Sequence, residues 1–321
     1  MQSVLRPSYI GMDFGGTKLL LGEMDPEGNF LRTRRVPTGP MDQESACRLM
    51  EDALQAFLAE PTPGFSPCAV GIGLAGHVDG KTGKWLDTDR DRNQVIPLAR
   101  RIQACSGLPC RVDNDVKSAA RAELRFGYGR TTEHFVYINV GTGIAAGVIT
   151  GGRMVRGSHA NAGEVGHTSS GLCLGIPCIC GRTDCVELIA SGSGLDRCAR
   201  LLKDRYPDSV LRIPQDSAVS AADIFALYGT DSLCTALTDN AARALANLIM
   251  NMVRFSDPDT IVLGGGIVAD GFLLKQTEQY LSPHTMRYVT GGMHLTELDA
   301  RLIGLTGACA NAMEAAQVDR T

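Results

Sequence analysis

Tyr9-Ile10-Gly11-Met12-Asp13-Phe14-Gly15-Gly16-Thr17-Lys18-Leu19-Leu20-Leu21-Gly22-Glu23 is the stretch that decides the fold. Tyr9 to Asp13 reads as a buried strand, Phe14 to Lys18 as a tight glycine turn, and Leu19 to Glu23 as the returning strand. Asp25-Pro26-Glu27-Gly28 is a turn into a third strand, Phe30 to Val36. The device returns later: Phe135 to Val140 is a strand that breaks at Gly141-Thr142-Gly143, and Ala145 to Thr150 is its hairpin partner. This is a duplication of long period rather than a short repeat. It predicts an α/β chain of two related lobes with a central cleft.

Between and beyond these units the pattern alternates. Asp42 to Glu60 has helical spacing, with Met50, Ala53, Leu54, Phe57 and Leu58 on one face, and Pro61 and Pro63 stop it. Ala69 to Leu74 and Arg111 to Asp113 read as strands, and a helix follows from Asn114. Asp239 to Arg254 is an amphipathic helix, Thr260 to Leu263 a strand ending in Gly264-Gly265-Gly266, and Ile303 to Met313 a final helix. The lobe boundary is expected near 125–133. Residues 1–128, with a C-terminal helix at about 303–321, form a small lobe, and 129–302 form a larger one.

Composition narrows the function classes. The chain has 321 residues, 44% hydrophobic and 21% charged, with a net charge of −4, which argues against a nucleic-acid surface. No apolar run reaches the roughly eighteen residues of a membrane span, and the segment Met1 to Pro7 lacks the apolar core of a signal peptide. The eleven cysteines are an odd number without the pattern of a disulfide scaffold. Cys47, Cys68, Cys105, Cys110, Cys198, Cys234 and Cys309 read as free, mostly buried thiols, and a reducing cytoplasm is the consistent compartment.

The remaining cysteines point to a metal. His167, Cys178, Cys180 and Cys185 form a Cys3His set, the composition of a closed structural zinc site with no open position for chemistry. The bland reading, buried small hydrophobes, sits poorly with three cysteines in eight residues beside a histidine and glycines. The same segment carries Glu164 and Glu187, two carboxylates suited to sugar hydroxyls.

Three glycine turns suit a nucleotide. In Asp13–Lys18 the absent Cβ atoms let backbone N–H groups approach an anion, Thr17 and Lys18 add donors, and Asp13 can hold Mg²⁺ directly or through water. This is not a P-loop, because the spacing before the lysine is wrong and no helix follows. Gly141-Thr142-Gly143 repeats the device, and Gly264–Gly266 offers close approach to a base or ribose. Alternatively, all three are only tight turns. Asp113-Asn114-Asp115 lies at a strand-to-helix junction where either Asp113 or Asn114 can be the N-cap. Asp115 falls in the first helical turn, where the dipole favours its ionised form and where it can accept a proton from an alcohol.

These motifs resemble the ROK family (repressor, open reading frame, kinase) of sugar kinases, within the actin-like ATPase (ribonuclease H-like) fold. The resemblance spans nearly the whole chain, through Asp13–Lys18, Gly71–Gly76, Asn114-Asp115, Gly141–Gly143, Glu164–His167, Cys178, Cys180, Cys185, Glu187 and Gly264–Gly266. It implies an ATP-dependent kinase that phosphorylates the 6-hydroxyl of a hexose or N-acetylhexosamine. Asp115 would be the general base. Gly76, Asn114, Asp115, Glu164, His167 and Glu187 would bind the sugar, with His167 also a zinc ligand. Asp13, Gly15, Gly16, Thr17, Lys18, Gly141, Thr142 and Gly143 would bind ATP with Mg²⁺, and Gly265 would lie near the adenosine. A homodimer is expected by analogy.

The chain departs from the family pattern in places. Ala145 and Ala146 stand where many members carry glycines, Asp184 stands where glycine often precedes the last cysteine, and Gly73–His77 lacks a frequent proline. Cys173 is an extra thiol, either spectator or alternate ligand. A catalytically silent sugar sensor would be expected to lose Asp115 or the first glycine turn, and both are present. A regulator would need a DNA-binding segment for which the first strand leaves no room. A cysteine hydrolase is disfavoured because no isolated Cys/His pair stands out.

Overall fold

The glycine-turn unit at the start of the chain builds a mixed sheet. The computed structural model describes residues 5–86 and 95–318, and the chain folds as two compact units. The first comprises 1–130, 156–162 and 301–321; the second comprises 131–155 and 163–300. The expected C-terminal helix is part of the first unit, and its last residues, 319–321, lie outside the described residues. Segment 156–162, expected within the larger lobe, belongs instead to the first unit.

In the first unit the chain runs through β1 (Arg6–Phe14), β2 (Lys18–Met24), β3 (Phe30–Pro37), α1 (Gln43–Leu58) and β4 (Phe65–Leu74). It continues through β5 (His77–Asp79), β6 (Lys84–Leu86), β7 (Val95–Ile96), α2 (Leu98–Ser106), β8 (Cys110–Asn114) and α3 (Asp115–Phe126). The main sheet has the order β3-β2-β1-β4-β8, with β1 antiparallel to β2 and parallel to β4. The small sheet β5-β6-β7 was not expected from the sequence. Asp42 caps α1, its carboxylate accepting from the Ser45 N–H at 2.7 Å, so the expected helix holds at both ends within two residues.

The second unit repeats the plan. Its elements are β9 (Phe135–Val140), β10 (Ile144–Thr150), β11 (Arg153–Met154), α4 (Glu187–Ala190), α5 (Gly192–Leu202), α6 (Ala221–Ala226), α7 (Ser232–Ser256), β12 (Thr260–Gly264), α8 (Phe272–Glu278), α9 (Pro283–Met286) and β13 (Gly292–Leu295). The sheet order is β11-β10-β9-β12-β13, again an antiparallel hairpin continued by parallel strands. Matching order and strand sense in the two sheets is the structural form of the duplication. The core gathers Val136, Ile138, Val140, Ile261 and Leu263 against Leu245, Leu248 and Ile249 of α7.

The last helix, α10 (Ile303–Val318), packs on β1, β4 and α3 of the first unit. Side chains alternate across a strand, so Ile10, Met12, Val70 and Ile72 enter the core while Gly11 and Gly71 face the helix. A Cβ on Gly71 would strike the Ala308 carbonyl and the Ala312 nitrogen, so only glycine lets α10 approach this closely. No helix among the described residues is long and apolar enough to cross a membrane.

Candidate active site and metal centre

In the first unit the glycine turn closes by a Gly15 N–H bond to the Lys18 carbonyl at 2.9 Å, and Thr38 Oγ1 donates to the Gly15 carbonyl at 3.0 Å. Gly16 and Thr17 are exposed, and a Cβ on Gly16 would meet nothing, so the backbone there is open to an incoming anion. Asp13 is the penultimate residue of β1, just before the turn, opposite Leu20 and Gly73. Burial pushes its carboxyl up to about 6; the negative charge of Asp115 adds to the rise and Lys18 opposes it. Asp13, Lys18 and Asp115 therefore share one electrostatic neighbourhood.

Asp115 opens α3, and Asn114 is its N-cap, which decides between the two candidate caps. The Asn114 Oδ1 accepts from Val116 N–H at 3.0 Å and Lys117 N–H at 3.3 Å, and its Nδ2 donates to the Gly76 carbonyl at 3.1 Å. An amide carries two donor hydrogens, and Asn114 also hydrogen-bonds the Asp115 carboxylate. Burial raises the Asp115 carboxyl above its ordinary value, although the Val116 N–H and Asn114 pull it down. The sequence favoured an ionised carboxylate here; the hydrogen bonds at the helix start do favour it, but desolvation is larger. Gly76, Asn114 and Asp115 thus lie together at one edge. Behind them Asp113 is fully buried and paired with Arg156 at 2.6 Å and Arg121 at 3.3 Å.

In the second unit Gly141-Thr142-Gly143 joins β9 to β10, with the Gly141 N–H donating to the Gly143 carbonyl at 2.9 Å. The sequence reading missed how this turn is braced. The start of α5 docks on it through the Gly192 N–H to the Gly141 carbonyl at 2.8 Å and Ser193 Oγ to the Thr142 carbonyl at 2.7 Å. Glu187, first residue of α4, accepts from the Ile144 N–H at 2.9 Å. A Cβ on Gly143 would come within 2.6 Å of that carboxylate, so this glycine makes room for Glu187. Ala145 and Ala146 lie past the turn, paired with Asn139 and Ile138 on β9. Gly265 adopts φ +97° beside the Val140 backbone, and with Gly264, Val268, Leu295 and Thr296 it lines a cavity of about 100 Å³.

The candidate metal ligands also meet in this unit. The donor atoms of His167, Cys178, Cys180 and Cys185 all lie within 4.8 Å of one another. Cys178 Sγ is 3.4 Å from His167 Nδ1, and Cys180 Sγ is 3.5 Å from Cys185 Sγ. A tetrahedron with zinc–sulfur bonds of about 2.3 Å has edges of about 3.8 Å, so the quartet has the size and chemistry of a zinc site. Cys173 is exposed and outside the quartet. Asp184 adopts φ +53°, and its carboxylate accepts from the N–H groups of Leu174, Gly175 and Ile176 at 3.1, 3.0 and 2.8 Å. The left-handed backbone explains why glycine suits this position. Glu164 is exposed and leads into a 3-10 turn, Val165–His167, which presents the His167 ring to Cys178.

Comparison with known proteins agrees with this architecture. The ROK family model matches residues 9–311. The chain is 29% identical to a glucokinase of Halalkalibacterium halodurans over 88% of each chain. It is 32% identical to an N-acetylmannosamine kinase of Escherichia coli, over 85% of this chain and 88% of that one. The crystal structure of a ROK family glucokinase from Streptomyces griseus in complex with glucose and AMPPNP superposes with a TM-score of 0.73 at 30% identity, covering 96% and 99% of the two chains. The fold is therefore the actin-like ATPase fold, and the chain belongs to the ROK family.

Proposed function

We propose that this chain is an ATP-dependent sugar kinase that phosphorylates the 6-hydroxyl of a hexose or N-acetylhexosamine. The observation that carries the reading is the half-buried Asp115 at the α3 N-terminus, beside Asn114 and Gly76, in a chain whose relatives are a glucokinase and an N-acetylmannosamine kinase. In the step proposed, the acceptor hydroxyl gives its proton to Asp115 as its oxygen bonds the γ-phosphorus. The bond from that phosphorus to the bridging oxygen breaks, and ADP leaves. Asn114, with Glu164, His167 and Glu187, would orient the sugar, and the backbones at 15–18 and 141–143 would hold the phosphates.

Two metals belong to the same proposal. Mg²⁺, when bound, neutralises charge on the transferring phosphoryl group, and Asp13 is the carboxylate that would hold it, directly or through water. Zinc would be held by His167, Cys178, Cys180 and Cys185, fixing the loop between Glu164 and Glu187. A homodimer in the cytoplasm is also proposed, the latter supported by eleven cysteines of which none is in a disulfide. A coupled ATP-consumption assay over glucose, N-acetylglucosamine, N-acetylmannosamine, fructose and allose tests the reading. Turnover with at least one is expected; sugar binding without ATP consumption would favour a silent sensor instead.

A further inference from the structure

The segment 156–162 closes on itself, the Ala162 N–H donating to the Arg156 carbonyl at 3.3 Å. Three polar contacts fasten it to the first unit. Arg156 binds the buried carboxylate of Asp113 through both terminal nitrogens, at 2.6 and 3.3 Å. His77 Nε2 lies 2.8 Å from the His159 carbonyl, and the buried Lys117 ammonium donates to the Ala160 carbonyl. Gly80, on the β5–β6 hairpin, is the third party at the ion pair: a Cβ there would come within 2.5 Å of the Arg156 guanidinium and 3.2 Å of the Asp113 carboxylate.

These contacts close a ring. Asn114 reaches Gly76, the next residue His77 reaches His159, the next residue Ala160 receives Lys117, and Lys117 lies one helical turn from Asn114 on α3. Asp113, at the base of the ring, accepts the Asn114 N–H at 3.1 Å and so fixes the backbone at the strand-to-helix junction. Asp113 and Lys117 are buried charges that cost desolvation, and the strap supplies a partner to each, the partly covered Arg156 to Asp113 and the Ala160 carbonyl to Lys117.

We propose that segment 156–162 is a positioning strap, latched by Arg156 to Asp113 and by Lys117 to Ala160, that fixes Asn114 and Asp115 for the acceptor alcohol. The inference rests on the sugar-kinase reading and deepens it. Asp115 and Asn114 touch the substrate; Arg156, Asp113 and Lys117 act through them. Misplacing a reacting group by about 1 Å costs up to about 100-fold in rate, without weakening a nucleotide held by the glycine turns.

The test is steady-state kinetics of Arg156→Ala, Arg156→Lys and Lys117→Met in the full chain, each checked for fold by thermal melting. Arg156→Ala is expected to lower kcat about 10- to 100-fold with the KM for ATP within twofold of the parent. Arg156→Lys, which keeps the charge but not the bidentate fork, is expected to fall between the two. Lys117→Met is expected to lower kcat in the same manner. Parental kcat in folded Arg156→Ala overturns the strap, as does an equal loss in Arg156→Lys and Arg156→Ala or a KM for ATP that rises with the fall in kcat. If Arg156→Ala does not fold, parental kcat in Lys117→Met overturns it. A parent silent toward every sugar overturns the kinase reading and the strap with it, whereas an active parent with unaffected variants overturns the strap alone.

Discussion

Glu187 and Ile144 are tied by a 2.9 Å hydrogen bond from a backbone N–H to a carboxylate, and this joins the second glycine turn to the end of the loop that carries the candidate metal ligands. One carboxylate thus has two proposed tasks, bracing the turn and orienting the sugar. Replacement by Gln keeps an acceptor for the Ile144 N–H but loses the charge, so the sugar KM is expected to rise while the KM for ATP holds. Replacement by Ala loses both; a charge-assisted bond is worth about 1.5–3 kcal/mol, so the KM for ATP is expected to rise about 10- to 100-fold. Equal effects of Gln and Ala on the KM for ATP would refute the bracing role.

Asp13→Asn separates stability from function. The Asp13 carboxyl is raised from an ordinary value of 3.8 to about 6 by burial and by Asp115. A raised folded value means the folded state holds its proton more tightly. That stabilisation is full below about pH 4 and is lost as the pH rises through about 6. At pH 7.5 the ionised Asp13 then costs about 3 kcal/mol in the chelator-treated, nucleotide-free protein. Asp13→Asn is expected to melt several degrees higher at pH 7.5 but not at pH 4, and to lose kinase activity. Identical melting at both pH values would show that the buried charge carries no such cost.

Asp115→Asn is expected to lower kcat by about 10²- to 10⁴-fold with the fold intact, as removal of a general base does. Because burial raises the Asp115 carboxyl, the acid limb of kcat/KM in the parent is expected above the ordinary aspartate value of about 3.9. Activity falls as the pH drops through that limb, because the protonated acid cannot take a proton. A variant near the parental rate would end the assignment.

How much of this was legible in the sequence depends on the range of the forces involved. The strands 9–13 and 135–140, their glycine turns and the helix expected over 42–60 follow from local patterns, and the structure places them within a few residues. Helix α7 runs further than expected, Ser232–Ser256, because Asp231 caps it a full turn and more upstream; that aspartate was the available signal. Docking of Ser193 on Thr142 joins residues 51 apart and leaves no local trace. Nor does the latch of Arg156 to Asp113, 43 residues apart, which carries 156–162 into the first unit. The Cys3His set was legible because metal ligation restricts residue type as well as spacing.

Removing the proposed zinc should loosen the sugar site but not the fold of the first unit. Cys180 is exposed, so Cys180→Ser leaves no cavity, and any effect is a ligand effect. The variant is expected to lose bound zinc by elemental analysis and to raise the sugar KM, with the KM for ATP less affected. Prolonged chelation of the parent should reproduce it. Purified parent containing no zinc would defeat the metal assignment.

Asp184 sets two local effects against each other. Its φ of +53° costs a non-glycine residue about 1–2 kcal/mol, less for aspartate than for most, and glycine would relieve this. Against that stand three backbone N–H groups at 174, 175 and 176, each donating to its carboxylate within 3.1 Å in a site only 6% exposed. Bonds to a charged acceptor contribute about 1.5–3 kcal/mol each, and a buried donor left unpaired costs about 1–3 kcal/mol. The bonds outweigh the strain, so Asp184→Gly is expected to destabilise the loop and speed metal loss to a chelator at least tenfold, even though it restores the commoner family residue. Asn tolerates the same backbone and still accepts, so Asp184→Asn should lie between glycine and the parent. Slower metal loss from the glycine variant would mean that backbone strain, rather than the amide nest, governs this loop.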